Sequence, residues 1–493
     1  MKRLIIFIAI LVACPLFWQS CIEDESVGIV RDLVDIEIKT ERDTFYADFG
    51  LECRFSVEVS QSEDMELEYE WKVASLEQKD TLEVVCTEPE FRYAFKDLGE
   101  FRVRLKVTNR DGSSYHFFTA FVRTPYEDGL LVLSEDNNRV GRTSFLRVIK
   151  HPDEIVNGNE TFNTRLLEGI NPEFPLQEVK DVTWYDNKIY LLTDGGKKIN
   201  VYDMHSLDYI NFYDVDQDNP GLRLRCFSQS DVPFSMGEMI MIGEEGGTWI
   251  FNLDTYFLMP DTKLYPGKRF DKLYSFSIGG GDRNALLVNF EDSYICHQVF
   301  GSWPGPSYNS GSYFRDRRIL NLMADHECRL KAITTDPQDP LAVKITTFDA
   351  MGQYHFFVGF SGAFDNPNTV DYRAASPLTL TREVDMLTNS KYYVAYYPRG
   401  GELYEWVYSG ESPKLPDDPV WTTEGEITCM ALCPNGDKRY LYLGIWNPAA
   451  QEELKGSVYI MDVVTHKILK EYRGIADKPF KIIYKTMDDS VYW

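Results

Sequence analysis

The sequence predicts an all-β protein in which an N-terminal immunoglobulin-like β-sandwich precedes a β-propeller of seven blades. Three observations lead to this fold class. Residues 32–125 contain short runs in which apolar and polar side chains alternate, as in half-buried strands. Residues 126–493 repeat an apolar strand about every fifty residues, a spacing typical of propeller blades. No sustained helical periodicity separates these strands, which disfavours a parallel α/β sheet.

Composition limits the classes of partner. The 493 residues are 44% hydrophobic and 14% aromatic, which indicates a folded chain of two or more domains. The formal net charge of −26 repels phosphate backbones, so we expect no nucleic-acid partner. It also repels anionic lipid headgroups, so attachment to a membrane would require a covalent lipid.

Residues 1–20 have the pattern of a bacterial export signal. Lys2 and Arg3 precede an apolar run that is too short to span a bilayer. Cys21 is followed by an acidic segment, so we expect lipidation at Cys21 and a lipidated linker over residues 21–31. Cys14 is the alternative, because the residues before it resemble a bacterial lipobox, although the segment after it stays hydrophobic. Secretory cleavage near Ser20 without a lipid also remains open.

Residues 32–125 predict the sandwich. Runs such as 67–73 and 101–107 alternate apolar with polar side chains, so each buries one face. About seven such strands in roughly 90 residues is the size of an immunoglobulin-like domain. We expect Trp71 in its core. Cys53 and Cys86 fall in this region, where they either pair or pack as small buried side chains.

Two segments of this domain resemble PKD-type domains. Residues 98–112 are similar to the strand-turn-strand ending of that family, and Tyr69-Glu70-Trp71 is similar to its central tryptophan strand. The Gly-Asp-Gly that usually follows the tryptophan is absent, so the resemblance is to a divergent member. It implies a spacer or docking module.

Residues 126–493 predict the propeller. Apolar strands of similar character begin near seven positions, namely Leu130, Ile189, Met239, Ala285, Ala342, Tyr392 and Tyr440. Several are followed by a glycine turn and a second strand, as at Gly195, Gly246, Gly400 and Gly456, because the tight connection favours a positive φ. We expect residues 480–485, with 491–493 as a further candidate, to close the ring beside the strand near Leu130.

Residues 301–314 are the candidate ligand-binding segment. This stretch is rich in Gly, Pro and Ser, which predicts a long loop between strands. The aromatic side chains of Trp303, Tyr308 and Tyr313 would suit sugar rings or peptide side chains. The alternative is that these rings cover their own blade.

Metal and catalytic signals are weak. Asp214, Asp216 and Asp218 alternate as in calcium loops, but Asn219 and Arg225 replace the glycine and glutamate of that motif, which favours a solvated acidic loop. The spacing of His297, His326 and His355 gives no support for a metal triad. Cys429 and Cys433 are expected to pack in the core rather than bind zinc.

We find no His-Glu-x-x-His, Gly-x-Ser-x-Gly or phosphate-loop motif. Residues 246–249 match only part of a sialidase Asp-box, and a glycine turn explains them better. We therefore expect no catalytic residue and no cofactor, with calcium as the one weak candidate.

The lipoprotein start, the PKD-like sandwich and the propeller-like repeat together resemble the PKD-like lipoproteins of Bacteroidota over nearly the whole chain. The resemblance implies a lipid-anchored lipoprotein on the cell surface of the outer membrane. Its implied partners are SusC/SusD-like components of a TonB-dependent uptake system for oligosaccharides or peptides. Two alternatives remain: a surface enzyme that degrades glycans or peptides with carboxylates lining the channel, and a purely structural subunit.

Overall fold

The computed structural model describes residues 33–486 except 77–82, 150, 228–237, 261–266, 279–281, 301–303, 328, 349–353, 356–358, 361–366, 412 and 435–436. The lipidation candidates Cys14 and Cys21, and also Trp303, lie outside the described residues. The chain forms two compact units, residues 1–123 and 124–493. In the described part of both units, no helix is long and apolar enough to cross a membrane.

The first unit is a β-sandwich. Its strands are β1 (Ile36–Lys39), β2 (Thr44–Asp48), β3 (Glu52–Phe55), β4 (Glu58–Gln61), β5 (Glu68–Ser75), β6 (Glu83–Cys86), β7 (Phe91–Ala94), β8 (Gly99–Thr108) and β9 (Ser113–Arg123). Five strands form the main sheet in the order β2-β9-β8-β5-β6, and the other four form the pairs β1-β4 and β3-β7. Only β2 and β9 pair in parallel in the main sheet.

Trp71 lies at the centre of the sandwich core, as predicted. Its side chain is 0% exposed, and its ring contacts those of Phe55, Phe91 and Phe118. The indole N–H donates to the Glu88 carbonyl oxygen at 2.9 Å, so the one polar atom of this side chain is satisfied inside the core. Cys53 and Cys86 are both free thiols.

In the described residues, the second unit contains seven sheets of the size of a propeller blade, besides one two-stranded pair. Six have four antiparallel strands, which are β12 (Asp181–Tyr185), β13 (Lys188–Thr193), β14 (Lys198–Asp203) and β15 (Tyr209–Asp214); β16 (Leu224–Phe227), β17 (Glu238–Gly243), β18 (Thr248–Asn252) and β19 (Phe257–Pro260); β20 (Lys272–Ile278), β21 (Asp282–Asn289), β22 (Tyr294–Phe300) and β23 (Pro304–Asn309); β24 (Arg318–Ala324), β25 (Leu330–Thr335), β26 (Ala342–Thr347) and β29 (Asn368–Arg373); β30 (Leu387–Asn389), β31 (Val394–Arg399), β32 (Glu402–Val407) and β33 (Trp421–Thr422); β34 (Glu426–Leu432), β35 (Tyr440–Trp446), β36 (Gly456–Asp462) and β37 (Lys467–Ala476).

The seventh sheet closes the ring. It consists of β11 (Gly141–Arg147), β10 (Gly129–Glu135) and the C-terminal β38 (Lys478–Lys485), in that order. Leu130 lies opposite Tyr484 and Val132 opposite Ile482. The predicted closure by residues 480–485 is therefore confirmed, whereas residues 491–493 lie outside the described part of the chain.

The remaining elements are short. Helices α1 (Glu154–Asn157), α2 (Leu166–Ile170) and α3 (Val215–Asp218) connect strands, and β27 (Tyr354–His355) pairs with β28 (Gly359–Phe360). Because α3 spans the acidic segment, that segment is a helical turn rather than the predicted loop.

The predicted strand near Ala342 is confirmed, but its equivalence to the other repeat strands and the reason given for glycine at Gly456 are wrong. The strand near Ala342 is β26, the third strand of its sheet. The strands near Leu130 and Ile189 are instead the second strands of their sheets, counted from the ring centre. The equivalent strand is β25, whose apolar run is interrupted by Lys331, a 5% exposed side chain beside Asp325. At Gly456 a positive φ is not the reason for glycine; a Cβ there would lie 2.0 Å from the Asp477 carbonyl oxygen.

Positive φ does explain other glycine turns. Gly195, Gly246 and Gly400 have φ values of 63°, 85° and 57°, where a side-chained residue is strained. Gly196 adds a close approach, because a Cβ would lie 2.0 Å from the Leu224 carbonyl oxygen. Adjacent blades therefore touch at the Gly196 turn.

The predicted loop over residues 301–314 is also wrong in part. Pro304–Asn309 forms β23, which pairs with β22 so that Tyr308 lies opposite His297. Proline is tolerated because β23 is the edge strand of its sheet, where a missing N–H donor breaks no ladder on the open side. Composition alone could not reveal this pairing.

Candidate functional site: the central channel of the propeller

The first strands of the sheets lie at the ring centre. Adjacent sheets contact each other through β12 and β16, β20 and β24, β30 and β34, and β34 and β38. A cavity of about 990 Å³ opens between several of these inner strands. We call this cavity the central channel, and its wall includes residues of β38, β34, β12 and β30 together with the segment 379–386.

The wall combines aromatic, hydroxyl and charged side chains. The aromatic residues are Trp184, Phe480 and Tyr484, and the threonines are Thr183, Thr379, Thr381, Thr388 and Thr428. Trp184 of β12 and Phe480 of β38 are partly buried between their two adjacent blades. This mixture of flat apolar surface and hydrogen-bonding groups is typical of sites for small polar ligands.

A lysine and an aspartate connect three inner strands beside the channel. The Lys481 ammonium in β38 lies 3.1 Å from Asp181 Oδ1 in β12. The other carboxylate oxygen, Asp181 Oδ2, accepts a hydrogen bond from the Phe227 backbone N–H of β16 at 3.0 Å. Asp181 is 5% exposed, whereas the Lys481 side chain is 28% exposed and lines the channel. The buried carboxylate thus fixes the position of a channel-lining cation.

Two thiols lie near this pair. Burial raises the pKa of Cys226 to about 12, with Asp181 adding to the effect. Burial likewise raises the pKa of Cys429 to about 12. Both thiols are therefore protonated near neutral pH. A nucleophile or metal ligand would need the deprotonated thiolate instead. Cys433 is 0% exposed and packs in the core, as predicted, whereas Cys429 is partly buried against the same cluster and lines the channel.

A buried network holds the segment 379–386 against neighbouring blades. The Asn321 side-chain amide donates to the carbonyl oxygens of Thr381 at 3.1 Å and Val384 at 2.7 Å. The Tyr274 hydroxyl donates to Asn321 Oδ1 at 2.9 Å. The Lys272 ammonium donates to the Val384 carbonyl oxygen at 3.0 Å. Asn321 is 0% exposed, and both its amide nitrogen and its carbonyl oxygen form hydrogen bonds. These bonds therefore fix one wall of the channel.

The charge balance in the channel differs from that of the whole chain. Six basic and five acidic side chains line its described wall, whereas the chain has 51 Lys and Arg against 77 Asp and Glu. The basic residues are Arg139, Lys180, Arg399, Lys438, Lys478 and Lys481. The acidic residues are Glu135, Asp136, Glu383, Asp385 and Glu426. The channel is thus far less repulsive to an anion than the rest of the surface.

Sequence reasoning missed this site. Its residues come from four different repeats, so no local spacing marks them. One signal was present: Lys481 interrupts the apolar run 479–484 of an inner strand. A lysine in such a run indicates either a buried ion pair, as at Lys331, or a side chain that reaches a polar cavity.

Of the predicted aromatic site, the structure describes only the side chain of Tyr313. Tyr313 is 43% exposed, and its ring lies 4.9 Å from that of Phe314 and 5.4 Å from that of Phe348. Because Phe348 directly follows β26, the Tyr313 ring packs against the sheet that comes after β23 in the chain. The backbone of Tyr308 lies in β23, its side chain is outside the described residues, and Trp303 is outside them altogether. Tyr313 does not line the described wall of the channel.

The acidic segment at α3 is engaged in local contacts. Asp214 caps the helical turn by accepting from the Gln217 N–H at 2.9 Å. Asp216 Oδ1 accepts from the Arg223 guanidinium at 2.8 Å and from the Gly221 N–H at 2.9 Å. The Arg223 hydrogen bond holds the pKa of Asp216 below its usual value.

Metal-ligating groups do not cluster in the part of the chain that the structure describes: no three His, Cys, Asp or Glu side chains are placed to hold an ion. The His326 ring packs 4.3 Å from that of Tyr393. His297 and His355 lie in β22 and β27, but their side chains fall outside the described residues.

Comparison with known proteins identifies no family for the chain. No family model matches the sequence, and no curated protein matches it. Among solved structures, a quinonprotein alcohol dehydrogenase-like protein from Bacteroides thetaiotaomicron is 12% identical with a TM-score of 0.45, covering 90% of this chain and 97% of that one. A DUF4784 family protein from Bacteroides caccae is 10% identical with a TM-score of 0.31, covering 92% and 100%. AztD from Citrobacter koseri is 8% identical with a TM-score of 0.37, covering 73% and 100%.

Proposed function

We propose that the protein is an outer-membrane surface lipoprotein that binds an oligosaccharide or peptide in the central channel. It serves as an accessory subunit of a SusC/SusD-type TonB-dependent uptake system. The observation that carries this proposal is the 990 Å³ channel, whose described wall holds aromatic rings, threonine hydroxyls and the fixed Lys481 ammonium. A cavity of this size suits a ligand of a few sugar or amino-acid residues.

The chemistry of the wall supports binding rather than a purely structural role. Propeller blades surround a central channel whatever the role of the protein, so the support comes from the groups on the wall. Here Asp181 is buried at a cost in solvation and holds Lys481 beside the channel. Threonine hydroxyls can hydrogen-bond a sugar or a peptide backbone, and Trp184 and Phe480 offer apolar ring surface.

The lipid anchor is supported by the N-terminal sequence. Cys21 precedes acidic residues, and Cys14 is the second candidate for the attachment. Mass spectrometry of the N-terminus extracted from membranes tests the anchor. An acylated Cys21 would support it, whereas an unmodified N-terminus on a soluble chain would contradict it.

Ligand binding is tested by titrating glycan and peptide libraries into the purified protein. Thr381 is exposed and lines the channel, so Thr381→Trp should obstruct it and lower affinity at least tenfold. Thr422→Trp is the matched control, because Thr422 is exposed on β33 at the outer edge of its blade. Saturable binding without turnover supports the receptor. Absence of any binding would favour a structural subunit.

A surface hydrolase is the second candidate, and Glu135 is the observation that favours it. Glu135 lines the channel, and burial raises the pKa of its carboxyl despite the nearby Arg139. A carboxyl with a raised pKa can act as a general acid. Turnover of a library member that is lost in Glu135→Gln would establish this candidate in place of the receptor.

A further inference from the structure

The five-stranded sheet of the first unit has an outward side that we call the outer sheet face. In β8 the inward side chains Val103, Leu105 and Val107 are buried. Side chains alternate along a strand, so the residues between them point away from the core. In β8 these outward residues are Arg102, Arg104 and Lys106, and in β9 they include Tyr115, Phe117 and Phe121.

Strand register places the cations beside the aromatic rings. Arg104 lies opposite Phe117, and Lys106 lies opposite Tyr115. Side chains in such opposed positions are direct neighbours. The Arg104 guanidinium carbon lies 5.6 Å from the centre of the Tyr115 ring. Basic and aromatic side chains therefore form two adjacent rows rather than separate patches.

The aromatic row continues onto β2. Tyr46 lies opposite Phe121, and their rings stack at 5.6 Å. The Arg123 guanidinium carbon lies 4.3 Å from the centre of the Tyr46 ring. Tyr46, Tyr115 and Phe117 are 41%, 51% and 52% exposed. A contiguous row of exposed rings on one flat face indicates a contact surface.

The cations of this face are only partly neutralised within the protein. Glu70 on β5 pairs with Arg104 at 2.9 Å and with Lys72 at 3.4 Å. Glu70 lies opposite Lys106 in the register, but among the residues that the structure describes its ion pairs are with Arg104 and Lys72, and Arg102 and Lys106 form none. In addition, Arg104 Nε is buried without a hydrogen-bond partner. The outward side chains of β5 and β8 comprise four cations, Lys72, Arg102, Arg104 and Lys106, and three carboxylates, Glu68, Glu70 and Glu100. This small positive excess contrasts with the net charge of −26 of the whole chain.

We propose that the outer sheet face binds a carboxylated oligosaccharide. The apolar C–H faces of pyranose rings pack on Tyr115 and Phe117, while Arg102 and Lys106 pair with carboxylates. Outward residues two apart lie about 6.6–6.8 Å from each other along a strand, so successive cations can meet successive charged groups of an extended polymer. The charge complementarity selects acidic over neutral chains, and the surrounding acidic surface opposes binding elsewhere.

The test is isothermal titration of the purified full-length protein with oligogalacturonate and with a neutral galactose oligosaccharide of equal length. We expect binding of the acidic chain only. Arg102→Ser combined with Lys106→Ser should lower affinity by roughly tenfold or more for each cation removed. The matched control combines Lys39→Ser with Arg92→Ser, which removes two exposed cations of other strands that pair with Glu37 and Glu90.

The aromatic row is tested separately. Phe117→Ser should weaken binding of oligogalacturonate, and Phe212→Ser, at a ring 50% exposed in the second unit, should not. The channel variant Thr381→Trp should leave this binding unchanged, which separates the two sites. If Thr381→Trp abolished it, the acidic chain would belong to the channel and the proposal would be overturned.

Other outcomes also overturn the proposal. These are equal binding of the neutral oligosaccharide, equal effects of the cation variants and their control, and no binding of oligogalacturonate. Binding of poly-glutamate peptide or of phosphatidylglycerol vesicles without oligogalacturonate would assign the face to another anion. A change of oligomeric state in the double cation variant would assign it to a second copy of the chain.

Discussion

Ile482→Ala tests how the C-terminal strand closes the propeller. Ile482 is 4% exposed and packs in a cluster with Leu130, Val132 and Tyr442. Truncation of a buried isoleucine to alanine costs about 3 kcal/mol through lost burial and the cavity left behind. Leu130 and Val132 belong to the closing sheet and Tyr442 to the adjacent sheet β34-β35-β36-β37, so Ile482→Ala destabilises the junction that completes the ring.

The expected shift can be worked from the size of the second unit. Unfolding entropy of about 2.1 cal/mol/K per residue gives about 0.75 kcal/mol/K for a unit of this length, so 3 kcal/mol lowers its Tm by about 4 °C. Differential scanning calorimetry measures this, because the larger unit gives the larger unfolding enthalpy. Ile210→Ala, at a side chain 44% exposed on β15, is the control and should shift Tm by less than about 1 °C. Equal shifts, or an unchanged transition in Ile482→Ala, would refute the reasoning.

Four further outcomes are expected. Truncation after Lys478 should abolish the cooperative transition of the second unit, and unchanged melting would contradict ring closure. Trp71→Ala should cost the first unit about 3–5 kcal/mol in chemical denaturation, and a loss under 1 kcal/mol would contradict its central position. Burial lowers the pKa of Lys485 to about 7, so the unfolded chain binds more protons above pH 7 and wild-type stability should rise relative to Lys485→Met, by up to about 1.4 kcal/mol per pH unit; a pH-independent difference would contradict this. Calcium should not change Tm in wild type or Asp216→Ala, because Arg223 already pairs with that carboxylate; a wild-type shift lost in the variant would establish a calcium site.

The all-β class and the ring were predictable because strand periodicity is a local signal. Strand β8 alternates between buried and partly exposed positions. Strand β38 is a further apolar run after the seven repeated strands, which marked it as the strand that closes the ring. The fifth repeat was misplaced because Lys331 is buried beside Asp325, a long-range compensation that hydrophobicity cannot show. Strand β23 was missed because its edge position, which tolerates Pro304 and Pro306, depends on neighbouring strands.

The site was less predictable than the fold. Lys481 and Asp181 are 300 positions apart, so only ring closure brings them together. The outer sheet face, in contrast, is visible in the sequence once the strand register is known. Arg102, Arg104 and Lys106 occupy alternate positions, but the facing rings of Tyr115 and Phe117 are identified only by the pairing of β8 with β9.

The most direct test of the central claim is a crystal structure of the protein with the oligosaccharide or peptide that its library titration selects. The proposal predicts ligand density inside the central channel, with polar contacts to Lys481 and to threonines of the inner strands. Density of that ligand at Tyr313 or elsewhere outside the channel, with the channel holding only solvent, would contradict it.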